Sequence, residues 1–278
     1  MTGAEVRLWL IGEGIAASPS PAMQRAALRA RALPGSYDIV DVDAAGLPGV
    51  LDRMRGGEVT GANVTVPHKG AVAAACDRLE GDAVVTHAVN TVVVEAGRLV
   101  GANTDAMGLE AALREESMWP APGALVVVLG AGGAAAAAVL AMGRVPADRV
   151  VVTARRHDAA VALARRLAGC ATTLAIAWDR THLAEQVAAA DVVINATPAP
   201  LGDLPLHATD LAASAAVVDL RYRPRPVDLV AAAQAAGLRA CDGTSMLLHQ
   251  GMLSFRRWTG AEPPWDEARA ALRAAVDA

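Results

Sequence analysis

Short apolar runs alternate with longer helical patterns along the chain. In the first hundred residues, "VRLWLIG" at 6–12 and "YDIVDVD" at 37–43 predict strands. Between them a helix starts at Ser20-Pro21 and covers "PAMQRAALRARAL", and "GLPGVLDRMRGG" predicts a second helix stopped by Gly56 and Gly57. Ala62 to Val66 reads as a buried strand ending at Pro67, with a helix following from about Gly70 to Leu79. "NTVVVEAGRLVGAN" predicts a hairpin turning at Glu95-Ala96-Gly97. A helix from about Ala106 to Glu116 is broken by "MWPAPG".

Beyond that break the pattern changes. "ALVVVLG", "RVVVTA", "DVVINAT" and "AAVVDL" are continuous apolar strands, with helical stretches such as "GGAAAAAVLAMG" and "DAAVALARRLAG" between them. Strands apolar on both faces belong to a parallel sheet covered by helices on both sides. The fold class is therefore α/β, and the helix at 106–118 with its Pro/Gly break is the candidate boundary between two domains. The helices in "SMLLHQGMLSFRRWTG" and "WDEARAALRAAVDA" are compatible with packing on either half.

Composition narrows the function. Of 278 residues 54% are hydrophobic and 19% charged, which is ample core material. The formal net charge of -4 and pI near 5.9 exclude the basic footprint of a nucleic-acid binder. The three cysteines Cys76, Cys170 and Cys241 form no CxxC pair, so no zinc or redox motif is expected. No run of about 18 uninterrupted apolar residues suggests a membrane helix, and the N-terminal apolar run is too short for a secretory signal. A soluble cytoplasmic protein is expected.

In "VVVLGAGGAAAA", Gly130, Gly132 and Ala135 give a G-x-G-x-x-A spacing between a strand and a helix. That context supports a dinucleotide site: a tight turn, close approach of a pyrophosphate, and a helix N-terminus aimed at the phosphates. The next strand ends in Ala154-Arg155-Arg156, where an NAD site would usually carry an acid for the ribose 2′-hydroxyl. Two guanidiniums suit a 2′-phosphate, so NADP is favoured over NAD.

A dehydrogenase also needs a proton carrier, and the first half offers Lys69 after a strand end and Asp105 in "GANTDAMG". An ammonium and a carboxylate together can hold one exchangeable proton against a substrate oxygen. Taken singly, each also reads as an ordinary surface lysine and a helix-capping aspartate.

The stretches "GANVTVPHK", "HAVNTVVVEAGRLVGANTDAMG", "VLGAGGAAAA", "VINATP" and "DGTSMLLHQGMLSF" occur in one order. Together they resemble the shikimate dehydrogenase family over nearly the whole chain. The resemblance implies a substrate-binding domain at 1–107 and 245–278, with an NADP-binding Rossmann domain at 108–244. It implies reversible NADPH-dependent reduction of 3-dehydroshikimate to shikimate, no metal, and a monomer or homodimer. By motif, Lys69 and Asp105 match the catalytic pair. Ser18 and Ser20 match residues that hold the substrate carboxylate; Thr65, Asn90, Tyr222 and Gln250 match further substrate contacts. Cofactor contacts are implied at Gly130, Ala131, Gly132, Gly133, Ala134, Ala154, Arg155, Arg156, Asn195, Thr197, Leu220 and Gly243.

Departures exist. Ala17 and Gln24 stand where many family members have histidine, and "NATPAPL" puts Pro200 where the family has glycine. A quinate/shikimate or aminoshikimate enzyme of the same family, or a ligand sensor with this fold, are the alternatives. Of these, retention of Lys69 and Asp105 argues against the sensor. His68, His249 and Cys241 are read as structural.

Overall fold

The computed structural model describes residues 5–145 and 147–278; residues 1–4, counted above in the first domain, lie outside them. The elements in chain order begin with β1 (Val6–Gly12), α1 (Ser20–Ala30), β2 (Gly35–Asp41), α2 (Leu47–Arg55), β3 (Gly61–Val64) and α3 (Lys69–Ala75). There follow β4 (Arg78–Glu80), α4 (Asp82–Thr86), β5 (Thr91–Glu95), β6 (Arg98–Ala102) and α5 (Asp105–Glu115). The glycine-turn region comprises β7 (Leu125–Leu129), α6 (Gly133–Met142), β8 (Arg149–Thr153), α7 (His157–Arg166), β9 (Thr173–Ile176) and α8 (Arg180–Ala189). Last come β10 (Val192–Asn195), β11 (Ala216–Asp219), α9 (Asp228–Ala235), β12 (Arg239–Asp242), α10 (Thr244–Thr259) and α11 (Trp265–Asp277).

The chain divides into two compact units, Met1–Gly108 with Leu247–Ala278, and Leu109–Met246. The first unit holds a six-stranded sheet in the order β2-β1-β3-β5-β6-β4. Strand β1 pairs parallel with β2 and β3, whereas β5 runs antiparallel to β3 and β6. The β5–β6 hairpin turns through Ala96 and Gly97, both at positive φ. Trp9, Ile11, Val64, Val92 and Leu99 lie in the core on one side of this sheet, with Leu51 and Met54 of α2. From the C-terminal segment, α11 buries Ala268, Leu272 and Val276, spaced four apart, and packs against α1.

The second unit is a parallel sheet in the order β12-β11-β10-β7-β8-β9. This is the doubly wound arrangement: β7 comes first in this unit and lies between β8 and β10, so the connections leave it in opposite directions. In α6 the run Ala135 to Ala138 is buried; side chains this small let the helix lie close on the sheet.

On either side of Lys69 two elements differ from the sequence pattern. The strand expected over Ala62 to Val66 stops at Val64, because Pro67 and the turn before α3 take the chain out of the sheet; His68 N–H donates to the Thr65 carbonyl. The helix expected to reach Leu79 ends at Ala75, and Arg78–Glu80 pairs with β6 as an edge strand. No helix among the described residues is long and apolar enough to cross a membrane.

Candidate active site

Lys69 is the first residue of α3 and Asp105 the first of α5. Their side chains meet: Lys69 Nζ donates to Asp105 Oδ2 at 2.6 Å. The aspartate suits a helix N-terminus and the lysine does not, so the lysine's place is not explained by its own helix. Side-chain exposure is 18% for Lys69 and 5% for Asp105, leaving the ammonium accessible and the carboxylate enclosed. The turn that delivers the lysine is pinned on both sides. His68 Nε2 donates to the Val42 carbonyl at 2.7 Å, and Val89 N–H donates to the Lys69 carbonyl at 2.9 Å.

Asn90 completes the carboxylate's surroundings, donating to Asp105 Oδ1 at 2.7 Å and to Gln250 Oε1 at 3.1 Å. Its amide orientation is set by its oxygen, which accepts from Thr104 N–H at 2.9 Å and from the Thr91 hydroxyl at 2.8 Å. Behind it lies a buried polar layer. Ser254, one turn after Gln250 on α10, shares hydrogen bonds with Thr91 at 2.7 Å and with Asn63 at 3.0 Å. Asn63 in turn accepts from Tyr37, whose phenol burial pushes far above its ordinary range. Thr91, Thr104, Ser254, Asn63 and Tyr37 are not among the expected site residues. The signal is present in part, since Gln250 and Ser254 are polar positions four apart on an otherwise apolar stretch of helix.

The other expected substrate residues take separate places. Ser20 N–H donates to Ser18 Oγ at 3.3 Å, so the two serines stand together at the start of α1. Thr65 packs its methyl against Gly12, where a Cβ would come within 2.6 Å of it. Gln24 is fully buried and donates to the Gly251 carbonyl at 2.8 Å. Tyr222 belongs to the second unit, and burial raises its phenol above the ordinary value.

In the second unit, Gly130 sits at φ +121°, a conformation that favours glycine, directly after β7. A Cβ at Gly132 would project into open space, and α6 starts with no side-chain cap. Its first N–H groups are thus unclaimed by any capping side chain, which fits a pyrophosphate. Arg155 and Arg156 are exposed beyond β8, with no acidic partner among the described residues. That donor set fits a 2′-phosphate. Asn195 is fully buried; it donates to Asp219 and accepts from Thr197, so both are committed to shaping the loop after β10. Gly243 lies against Leu220, whose carbonyl oxygen would be 2.2 Å from a Cβ there.

Residues 10–92 match the family model described as the shikimate dehydrogenase substrate binding domain. Residues 114–237 match that of shikimate / quinate 5-dehydrogenase, and residues 243–273 that of the shikimate 5′-dehydrogenase C-terminal domain. The shikimate dehydrogenase (NADP(+)) of Methanopyrus kandleri is 37% identical over 270 residues, 95% of this chain and 93% of that one. The chain belongs to the shikimate dehydrogenase family. Within the family, its fold is similar to that of shikimate 5-dehydrogenase from Thermus thermophilus in complex with NADP(H) and shikimate. That likeness has a TM-score of 0.86 and 36% identity, covering 97% of this chain and 99% of the other. It is also similar to quinate dehydrogenase from Corynebacterium glutamicum in complex with NAD. There the TM-score is 0.87 and the identity 31%, over 97% and 99% of the two chains. Among the described residues of this family member, no group of three or more His, Cys, Asp or Glu could hold a metal ion.

Proposed function

We propose that the protein catalyses the reversible NADPH-dependent reduction of 3-dehydroshikimate to shikimate. The observation that carries this reading is the 2.6 Å pair of Lys69 and Asp105. When bound, NADPH supplies the hydride that reduces the ring carbonyl. Lys69 Nζ donates a proton to the carbonyl oxygen as negative charge develops there, and takes it back in the oxidative direction. Asp105 holds the ammonium in place, and Asn90 holds Asp105.

The hydroxyls of Ser18 and Ser20 are suited to the substrate carboxylate as neutral donors. Thr65 and Gln250, from the same unit as the serines, suit its remaining oxygens. Asn90 acts mainly by fixing Asp105 and Gln250, because its amide hydrogens are already engaged. A site that must satisfy each hydroxyl discriminates strongly against analogues lacking one. Arg155 and Arg156 take the 2′-phosphate of NADP, and the first turn of α6 takes the pyrophosphate. The enzyme works in the cytoplasm as a monomer or homodimer.

The test is a cofactor-reduction assay with shikimate, quinate and aminoshikimate, each with NADP and NAD. Shikimate with NADP is expected to give the highest kcat/KM. The similarity to a quinate dehydrogenase makes quinate with NAD the rival outcome, and a clear preference for that pair would overturn the assignment.

A further inference from the structure

The loop after β10, residues 196–201, carries two prolines, Pro198 and Pro200, and so has four backbone N–H groups. All four are taken inside the protein. Ala196 N–H donates to the Leu129 carbonyl at 2.8 Å. Thr197 N–H donates to Asn195 Oδ1 at 3.1 Å, and Ala199 N–H donates to Thr197 Oγ1 at 3.2 Å. Leu201 N–H, the first after Pro200, donates to Asp228 Oδ2 at 2.7 Å.

Asp228 is itself held. Its other oxygen accepts from Leu229 N–H at 2.8 Å and from Arg221. The Arg221 guanidinium also grips the fully buried Asp219, through Nη2 at 2.7 Å and Nε at 3.1 Å. Asp219 receives Asn195 Nδ2 as well, at 3.1 Å, so its buried charge is both paired and hydrogen-bonded. Both ends of the loop therefore lead to one ionic cluster: residue 195 through Asp219, residue 201 through Asp228. The start of the loop rests on the glycine turn, since a Cβ on Gly130 would lie 3.0 Å from the Ala196 carbonyl oxygen and 3.2 Å from Thr197 Cγ2.

We propose that Arg221 and Asp228 form a clamp that holds the 196–201 loop in one shape beside the dinucleotide crevice, and that this clamp sets the affinity for NADP(H). Both are positioning residues; neither contacts reacting atoms. The proposal rests on the reading of the second unit as the NADP-binding one. The loop follows β10, which with β7 flanks the point where the sheet's strand order reverses, and dinucleotides bind at that point in such sheets. Pro200 restricts the backbone, and Asp228 captures the next N–H, so loop and clamp work as one device. Ordering a loop before binding removes an entropic penalty from the binding step.

Two measurements test it. Amide hydrogen exchange reads the clamp in the ligand-free protein. Asp228→Ala is expected to accelerate exchange at Leu201 selectively, leaving β7 and β10 protected. NADPH titration followed by fluorescence reads the consequence. Loss of one net hydrogen bond corresponds to about a fivefold weaker Kd for Asp228→Ala, with KM for shikimate within about twofold of wild type. Asp228→Asn keeps an oxygen for Leu201 N–H and for the start of α9, and is expected to recover most of the affinity. Unchanged exchange at Leu201, or an unchanged NADPH Kd in folded Asp228→Ala, overturns the clamp. Selective exchange at Leu201 in a protein that does not bind NADPH at all would instead overturn the NADP reading while leaving the loop contact intact.

Discussion

Asn90 donates a side-chain hydrogen to Asp105 Oδ1 across 2.7 Å, and by doing so it decides which way that carboxylate faces. The other oxygen is left for the lysine. The amide cannot turn over without placing its oxygen against a carboxylate and its hydrogens against Thr104 N–H. Asn90→Ala is therefore expected to lower kcat by about tenfold or more while the fold persists, measured by steady-state kinetics beside circular dichroism. An unchanged kcat would remove Asn90 from the positioning of Asp105.

Lys69→Ala removes the proton carrier. General acid–base groups contribute about 10²- to 10⁴-fold, so kcat is expected to fall within that range. Shikimate binding, followed by calorimetry, is expected to survive. Wild-type kcat at neutral pH would show that another group carries the proton.

Arg155 and Arg156 stand beyond β8 without acidic partners among the described residues. Replacing both by alanine is expected to lower kcat/KM for NADP by about tenfold or more, because hydrogen bonds to a charged group contribute about 1.5–3 kcal/mol each. The value for NAD is expected to stay level or rise. Equal losses with both cofactors would place the 2′-phosphate elsewhere.

Gly130 combines φ +121° with a contact of 3.0 Å from any added Cβ to the Ala196 carbonyl oxygen. Gly130→Ala is expected to lose about 1–3 kcal/mol in denaturant unfolding and to weaken NADPH binding. Unaltered stability and affinity would mean that the turn relaxes freely.

Burial pushes the Cys76 thiol up to about 11 and the Cys241 thiol up to about 12, from an ordinary value of 9.0. Neighbouring acids act in the same direction on both, Asp77 on Cys76 and Glu116 and Asp242 on Cys241. The folded state thus keeps protons that the unfolded chain releases. Their contribution to stability is complete below about pH 9 and is lost as pH rises through about 11 and 12. Denaturant midpoints should fall over that window, and a thiol reagent at about pH 8 should label both cysteines far more slowly in the native protein than in guanidinium. Rapid native labelling of both would contradict the burial effect.

The central strands of both sheets were legible because each is a continuous or alternating apolar run. The strands that the pattern did not reveal, β4, β9 and β12, all lie at sheet edges. Each is three or four residues long and none is fully buried, so solvent permits polar residues that blur the period. The glycine turn was legible from spacing plus context. The pairing of Lys69 with Asp105 was not, since nothing local links the starts of two helices; it came only with the order of the motifs. The layer of Thr91, Thr104, Ser254 and Asn63 was hidden for a different reason. Its members are short polar side chains that look like hairpin or helix residues until the sheet brings them under Asn90.

Gln250 and Ser254 come after every residue of the second unit in the chain, yet they hydrogen-bond to groups from its first third. On the ribosome, Lys69 and Asp105 emerge long before α10 exists. Until that late helix arrives, the amide and hydroxyls of the early segment have nothing in the chain to replace its Oε1 and Oγ. The polar floor under the carboxylate is thus among the last things to be completed as the polypeptide is made, and a prematurely stopped chain would carry both ionic partners with their support missing.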